Sequence, residues 1–424
     1  MTRSLRLVTG EDDDRTGRVL FDNDVVFPWS SGTPLHHPDT EDLRTHVRTF
    51  GMCPHVDAAF VDVLADVELR GRGGAAYPVA AKWRRAAEAG GDGVVIANGA
   101  ESEPASAKDA ALLLTRPHLV LDGLTCAGTI TRARELIVVL HAGATATHAA
   151  VRTAIAEREG HDEIPIRIVT GPDRYLTGES SAIVRLVSGG AALPSFNRVP
   201  SAVSGVRGRP TVVHNVETLA RVALAARHRH ATQDSTLLTI VGQSRRVVVE
   251  VEPSTPFDAI DALRAAAPQA VLVGGYAGTW LPWWQLAALH ANETSLRSVG
   301  AGLGAGVIVP LAYDTCGLAV TAELARYLAR EGAGQCGPCV YGLPDVADIV
   351  TRLSTCQAGR RDVRQLRLYC DEITGRGACG HPDGVTRMVT TALTCFAGEV
   401  ESHVRDHRCT YRERTDILRT PGGG

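Results

Sequence analysis

The sequence lacks the long apolar runs and dense cysteines that mark membrane-spanning and disulfide-stapled chains. No stretch approaches the roughly 20 apolar residues that cross a bilayer. The start carries the acidic run EDDD at 11–14, where a signal peptide would have its apolar core. Ten cysteines in 424 residues are too sparse for a disulfide scaffold. We therefore expect a cytoplasmic chain with reduced thiols and no direct membrane insertion, any membrane association running through a partner.

An excess of one charge is also missing, and aromatic residues are few. Lys plus Arg (44) nearly balances Asp plus Glu (47), which argues against a mainly electrostatic nucleic-acid binder. Aromatic residues make up 5%, so rings on which a nicotinamide or adenine could stack are scarce. The balance of 44% hydrophobic and 21% charged residues is typical of a globular chain of two to four domains.

The first half of the chain alternates short apolar runs with helical patterns. Strands are predicted at 93–97, 135–141 and 164–170, and helices at 58–69 and 144–159. Strands separated by helices of this length predict parallel α/β packing. Residues 1–50 are polar and proline-containing, and we expect an irregular extension on the surface.

The pattern changes near residue 237 and again near 319. A strand at 247–251, a helix at 257–266 and a strand at 270–275 predict a small β-α-β module. Four helical segments follow, which predict a helical bundle; they are 319–330, 343–356, 362–372 and 383–405. The predicted divisions are 1–54, an N-terminal extension; 55–236, an α/β domain; 237–318, the small module; 319–410, the bundle; and 411–424, a flexible tail.

The glycine cluster Gly71–Gly74 is a candidate anion cradle. Glycines let backbone N–H groups approach a phosphate, and a following helix adds its positive dipole end. Arg72 and Lys82 would add positive charge. An ordinary tight turn is the alternative.

Three further polar motifs are candidate site segments, and the first two follow predicted strands, where ligands of α/β sheets bind. In 98–104, Asn98 offers a donor and an acceptor to a heterocycle, whereas a solvated loop would also explain Glu101 and Glu103. In 175–182, a helix capped by Ser180 or Ser181 is the alternative. In 210–218, His214 alone is as well explained as a packed histidine.

A C-x-x-C pair, Cys336 and Cys339, is followed by Cys379 forty residues later. Two close thiolates with a distant third suit an iron–sulfur cluster or zinc. The pair alone also suits a redox dithiol.

Taken together and in this order, the motifs resemble one known family. LRGRGGAAYPVAAKW, NGAESEP, YLTGESSA, GRPTVVHNVETLA and GAGQCGPC resemble the NADH- and FMN-binding flavoprotein subunit of respiratory complex I and the diaphorase subunits of soluble hydrogenases and formate dehydrogenases. The resemblance runs from about residue 55 to 400. It implies an FMN-binding α/β domain, a ubiquitin-like module called SLBB over 237–318, and a helical bundle that carries an iron–sulfur cluster.

The resemblance also implies roles for individual residues. Glu103 and Glu179 occupy the catalytic positions, and Cys336, Cys339 and Cys379 are the implied cluster ligands. The implied FMN and NADH contacts are Gly71, Arg72, Gly73, Gly74, Tyr77, Lys82, Asn98, Glu101, Ser102, Gly178, His214, Asn215 and Thr218.

The sequence departs from the family at several of these motifs. Ala100 replaces an aspartate, Ser180 a glutamate, and His214 an asparagine. On the nicotinamide side, the lysine and second stacking ring of P-R-x-K-P-P-F-P become Asn197 and Pro200. Arg85 replaces another aromatic residue, while Tyr77 keeps the first ring; NADH binding is therefore expected to be weaker than FMN binding. Arg198 or Phe196 are the nearest residues that would compensate.

The cluster motif has lost its first ligand, because Ala333 stands where the family has cysteine. Three ligands remain for a 4Fe–4S or a 3Fe–4S cluster. Cys370 and His381 are the nearest candidates for a substitute. Cys316 corresponds to a family cysteine that is not a ligand, and we expect it to be structural.

The implied function is that of an NADH dehydrogenase-like flavoprotein. A hydride from NADH would reduce FMN, and single electrons would pass through the cluster to a redox partner. The expected partner is a ferredoxin-like protein, a thioredoxin-fold iron–sulfur subunit or a membrane reductase, and not a nucleic acid. Two alternatives remain open, namely an FMN electron-transfer subunit that no longer uses NADH and a non-catalytic scaffold of a redox complex.

Overall fold

The structure, a computed structural model, describes residues 8–9, 40–196, 199–228, 235–242 and 246–411. Most of the predicted N-terminal extension, Asn197, Arg198 and all but one residue of the predicted tail lie outside the described residues. The chain forms two compact units. Among described residues, the first unit contains 40–102, 107–228 and 235–237, and the second contains 8–9, 103–106, 238–242 and 246–411. The finer divisions at 54, 318 and 410 stay predictions.

The first described element is a two-residue strand, β1 (Val8–Thr9), which belongs to the second unit. The helices of the first unit are α1 (Leu43–Phe50), α2 (Phe60–Asp66), α3 (Val79–Ala89), α4 (Lys108–Thr115), α5 (Pro117–Ile130), α6 (Thr145–Glu157), α7 (Ser180–Val187) and α8 (Val216–Arg227). Its strands are β2 (Gly93–Asn98), β3 (Ala133–His141), β4 (Ile166–Gly171) and β5 (Thr211–Asn215).

The four strands of the first unit form one sheet in the order β4-β3-β2-β5, and all neighbouring pairs are parallel. Apolar residues run continuously through 93–97 of β2 and 136–140 of β3 because a parallel sheet is covered on both faces. Ile96, Ile137 and Val139 pack with Ile183 of α7 in one core cluster. The predicted α/β fold of this part of the chain is confirmed.

Among the helices of the first unit that were not expected from the sequence are α1 and α5. Residues 43–50, expected to be irregular, form α1, because Asp42 caps it by accepting a hydrogen bond from the Thr45 amide (2.7 Å). The buried α5 was not predicted because its apolar residues cover every side and leave no polar face to set a period. It packs closely on α8 at Gly123, where a Cβ would collide with the Leu219 carbonyl.

The second unit contains a six-stranded sheet in the order β1-β7-β6-β10-β8-β9. Its further strands are β6 (Thr236–Val241), β7 (Arg246–Val251), β8 (Ala270–Val273), β9 (Thr279–Pro282) and β10 (Val307–Leu311), and its short helices are α9 (Asp261–Ala266), α10 (Trp283–Ala287) and α11 (Glu293–Arg297). The region 237–318 is therefore richer in strands than the predicted β-α-β unit. Its core is built around Phe257, Leu263 and Ile308.

The C-terminal part of the second unit is helical, with one more helix than expected. The helices are α12 (Gly317–Glu331), α13 (Leu343–Ser354), α14 (Arg360–Ile373), α15 (His381–Cys395) and α16 (Ala397–Arg405), with a short π-helix at Pro338–Gly342. The predicted segment 383–405 is interrupted at Phe396, whose ring packs edge-on against Trp280 with centroids 5.0 Å apart. Among the described helices, none is both long and apolar enough to cross a bilayer.

Candidate functional site

The glycine loop Gly71–Gly74 of the first unit is fixed at its start and open at its tip. The Gly71 amide donates to the Tyr77 carbonyl (3.0 Å), and the Arg72 amide donates to Thr218 Oγ1 (2.9 Å). Gly74 has a φ of +91°, a backbone conformation that favours glycine. A Cβ on Gly73 would meet only Asn215 Cβ, at 3.4 Å, among neighbouring heavy atoms within 4 Å. The loop therefore leaves room beside its backbone just before α3 begins.

Lys82 of α3 supplies a buried cation near this loop. Its Nζ donates to the Val213 carbonyl (3.0 Å) and lies 5.9 Å from the centroid of the Tyr77 ring. Burial lowers the pKa of Lys82 to about 8, because removal from water disfavours the ammonium form. An anion bound beside Lys82 would raise this pKa again and stabilise the ammonium form, which fits the phosphate-binding role expected for it.

The carboxyl ends of β2 and β5 bring two asparagines side by side. Asn98 and Asn215 are register partners in adjacent parallel strands. Asn98 Nδ2 donates to the Gly178 carbonyl (2.9 Å), and its Oδ1 accepts from the Ala100 amide (3.1 Å). A Cβ at Gly178 would collide with Ser102 Oγ. Motifs that are far apart in the sequence thus meet at the carboxyl ends of the strands.

Two of the expected acidic site residues cap helices. The Glu101 carboxylate accepts hydrogen bonds from the Asp109 and Ala110 amides at 2.9 and 3.0 Å, at the start of α4. The Glu179 carboxylate accepts from the Ser181 and Ala182 amides, both at 2.9 Å, at the start of α7. Glu179, not Ser180 or Ser181, is therefore the N-cap of α7. These bonds hold both carboxylates in fixed positions.

Glu103 belongs to the second unit. It is buried, and its Oε2 accepts a hydrogen bond from the Tyr276 amide (3.0 Å). A Cβ on Gly275 would lie 2.6 Å from Glu103 Oε2. Glycine at this position therefore lets the backbone come close to the Glu103 carboxylate.

His214 is packed in the interior, which is the alternative that the sequence left open for it. Its Nε2 accepts a hydrogen bond from Trp83 Nε1 (2.8 Å), and the side chain is buried. Burial, with a smaller effect from Lys82, holds the pKa of His214 well below its usual value. A neutral ring at this position fixes the side chain of Trp83, which belongs to α3.

A buried ionic cluster next to Asn215 was missed by the sequence analysis. Lys108 Nζ contacts Asp109 Oδ1 (2.7 Å) and Glu217 Oε2 (3.0 Å), and Asn215 Nδ2 donates to Asp109 Oδ2 (2.6 Å). Burial would lower the pKa of Lys108, but the two carboxylates raise it above its usual range. The adjacent Lys-Asp pair at the start of a helix was the only sequence signal, and it is indistinguishable there from a solvated helix end.

The three cysteines expected to bind the cluster lie near the segment between α12 and α13. Burial would raise the pKa of the Cys336 thiol, but the backbone amides of Ala378 and Cys339 hold it below its usual value. Burial and the neighbouring Cys336 raise the pKa of Cys339 to about 11, and Cys379 adds to this shift. The structure therefore places all three expected ligands close enough to interact electrostatically.

The two candidates for a substitute ligand have other partners. The Cys370 thiol is buried and hydrogen-bonds with the Thr390 side chain. His381 Nε2 bonds to the Leu328 carbonyl (2.8 Å). Gly332, next to the altered position Ala333, comes close to Cys339, because a Cβ on Gly332 would lie 3.4 Å from Cys339 Sγ.

Comparison with known proteins agrees with both groups of residues. Residues 64–224 match the family model described as the Nuo51 FMN-binding domain, and residues 319–403 match the NADH-ubiquinone oxidoreductase-F iron–sulfur binding region. The chain is a divergent member of this family of flavoproteins. The expected position of the C-terminal iron–sulfur region is thereby confirmed.

Relatives within this flavoprotein family are similar along most of the chain. The F 2 subunit of NADH-quinone oxidoreductase from Rhizobium meliloti is 26% identical over 379 residues, 83% of this chain and 90% of the relative. The F subunit of the Mycobacterium tuberculosis enzyme is 25% identical, covering 84% of this chain and 87% of the relative. A crystal structure of an air-oxidized NAD+-reducing NiFe-hydrogenase superposes with a TM-score of 0.75 at 25% identity. That match covers 85% of this chain, which spans 66% of the hydrogenase chain.

Proposed function

We propose that this chain is an electron-input subunit that oxidises NADH through FMN and passes single electrons through an iron–sulfur cluster to a partner redox protein. The observation that carries the proposal is the open glycine loop beside the joined ends of β2 and β5. It lies within the part of the chain that matches the FMN-binding model. The arrangement supports a phosphate at the loop and a heterocycle against the asparagine edges.

The residues of the first unit fit FMN in charge and in space. The loop Gly71–Gly74 would offer backbone amides to the phosphate, and Arg72 and Lys82 would supply positive charge. Asn98, Ser102, Gly178, Asn215 and Thr218 would line the flavin side, and Tyr77 would give a stacking surface. When bound, FMN accepts two electrons from a hydride donor and releases them one at a time. The helix caps Glu101 and Glu179 would keep the surrounding loops in place.

The residues of the second unit fit an iron–sulfur cluster with an altered ligand set. Cys336, Cys339 and Cys379 would provide three thiolates. The amides that stabilise the Cys336 thiolate are the kind of donor that cluster sulfurs accept. Ala333 leaves the fourth position without the family's ligand, so we propose a 4Fe–4S or 3Fe–4S cluster with three cysteines.

The proposal also includes the finer organisation and the partner. We assign 237–318 as an SLBB-like module and 319–410 as the cluster-bearing bundle. The partner is a ferredoxin-like or thioredoxin-fold iron–sulfur protein, or a membrane reductase, and we retain the cytoplasmic location as part of this proposal. The relatives are named as subunits of NADH-quinone oxidoreductase, which supports a multi-subunit setting.

Anaerobic titration with NADH, following the visible flavin bands, tests this function. We expect NADH to bleach the flavin. We also expect NADH to bind at least roughly 30-fold more weakly than it would to a chain with lysine at 197 and an aromatic residue at 200. The lost ring removes about 0.5–1.5 kcal/mol and the lost charged hydrogen bond about 1.5–3 kcal/mol. The Asn197→Lys/Pro200→Phe variant is the matched comparison and should bleach at lower NADH.

Two outcomes would contradict the proposal. A flavin that dithionite reduces but saturating NADH does not would support the second candidate, an FMN subunit that exchanges electrons only between proteins. The replacements Ser180, Asn197 and Pro200 favour that candidate. A purified chain with neither flavin nor cluster absorbance after reconstitution would support a scaffold.

A further inference from the structure

We propose that Cys316, His403 and Cys409 bind a zinc ion, at a site distinct from the cysteines of the proposed cluster. One ligand atom from each residue lies within 4.8 Å of the other two. Cys316 immediately precedes α12, His403 lies in α16, and Cys409 lies in the loop after α16. All three belong to the second unit.

His403 is oriented as a metal ligand. Its Nδ1 is 2.9 Å from the Leu353 carbonyl, so Nδ1 carries the proton and Nε2 presents a lone pair. Nε2 is buried and has no hydrogen-bond partner among the described residues. The whole side chain is 1% exposed. An unpaired buried acceptor is costly, whereas a histidine whose other nitrogen bonds a carbonyl is the usual arrangement of a metal ligand.

A buried carboxylate lies beside Cys316. Cys316 Sγ lies 3.2 Å from Glu399 Oε2, and this carboxylate also accepts from the Gly317 and Leu318 amides at 3.2 and 3.3 Å. The Ala319 amide also points to Cys316 Sγ (3.4 Å). Zinc binding would release one proton from each cysteine to solvent, leaving two thiolates and a neutral imidazole on a divalent ion.

Zinc is the metal that this donor set suits, because it accepts thiolate and imidazole ligands in tetrahedral geometry. A Zn–S bond of about 2.3 Å places two sulfurs roughly 3.8 Å apart, so little closure is needed. The loop bearing Cys409 is already held in place. His407 Nδ1 is 3.2 Å from the Cys356 carbonyl, and Ser402 Oγ donates to the Arg408 carbonyl (3.0 Å). The site would join the loop after α16 to the start of α12.

Metal analysis of the purified full chain, with zinc and iron measured on one sample, tests the site. We expect about one zinc per chain in the native protein and in the control Cys356→Ser. In Cys409→Ser we expect zinc affinity to fall by roughly tenfold or more. Cys409→His should retain zinc. Cys336→Ser should lower iron content but leave zinc unchanged, which separates this site from the proposed cluster.

Cobalt titration of the metal-free native chain gives a second measurement that requires no substitution. We expect sulfur-to-cobalt charge-transfer absorbance that zinc abolishes. A native chain with neither zinc after reconstitution nor this absorbance would overturn the site, as would unchanged zinc affinity in Cys409→Ser or loss of zinc with Cys336→Ser. Because none of these measurements involves flavin or NADH, failure here is distinguishable from failure of the proposed function.

Discussion

Individual side chains at the proposed flavin site are committed to the protein's own backbone. The carboxylates of Glu101 and Glu179 each accept two amide hydrogen bonds at a helix start. Such bonds hold the side chain in one position. If either carboxylate contacts a bound ligand, it would therefore do so from a fixed position.

At the residue scale, Gly73→Val tests the glycine loop. A Cβ at this position makes only an ordinary contact with Asn215, so we expect the variant to fold with native thermal stability. Its branched methyl groups would fill the space that a phosphate needs, and flavin retention after gel filtration should be abolished. Gly73→Ala should lose less flavin, and flavin content equal to that of the native chain in the valine variant would refute the cradle.

At the scale of elements, α5 is connected to three other helices or their ends through one buried carboxylate. Asp122 contacts His46 of α1 (2.9 Å), Arg158 after α6 (2.7 Å) and Arg227 of α8. Burial alone would raise the pKa of Asp122, but these three partners hold it well below its usual value. The cluster fixes the helical layer of the first unit.

Acid sensitivity follows from this carboxylate. Because the folded pKa of Asp122 is depressed, its contribution is present above the unfolded value of about 3.9 and is lost as pH falls toward the folded value. In urea unfolding at several pH values, Asp122→Asn should cost about 3–5 kcal/mol near pH 7, since it removes the buried carboxylate shared by Arg158 and Arg227 and leaves Arg158 with Asp162 alone.

The difference between native chain and variant should shrink below roughly pH 4. The exposed pair Asp92–Arg134 gives a matched control, and Asp92→Asn should change stability by less than about 1 kcal/mol. A difference for Asp122→Asn that stays constant down to pH 3 would contradict the depressed pKa.

At the scale of the whole molecule, the proposed route of electrons depends on the cluster that we propose for Cys336, Cys339 and Cys379. Each iron of a cubane needs one outside ligand, and Ala333 leaves one corner without thiolate. We expect electron paramagnetic resonance of the native protein to show a three-iron or labile four-iron cluster. Ala333→Cys should shift the spectrum toward a stable four-iron cluster, whereas Gln335→Cys in the same loop should not. A native spectrum of an all-cysteine cubane would show that another thiol has become the ligand.

How much of the fold and of the candidate site can be predicted from the sequence depends on whether the sequence pattern of each feature is local. The parallel strands β2 and β3 were predictable from continuous apolar runs, and the loop at Gly71 from glycine density. By contrast, α5 is apolar on all sides, and Lys108 lies buried only because Asp109 and Glu217 meet it there. The group of Cys316, His403 and Cys409 joins positions up to 93 residues apart that share no motif. Such features arise from tertiary packing, which local patterns do not encode.

The strand order β4-β3-β2-β5 has a consequence for how the chain is made. Strand β2 acquires one neighbour soon after synthesis, when β3 emerges, but its other edge pairs with β5, which begins at Thr211. Until that point a strand that is apolar from 93 to 97 presents unpaired backbone groups to other nascent chains, and distant pairing is slow to form. A chain that stops before Thr211 should therefore collect in the insoluble fraction on centrifugation, while one extended through α8 covers that edge. Recovery of the shorter chain as a soluble monomer would show that β2 is shielded in another way during translation.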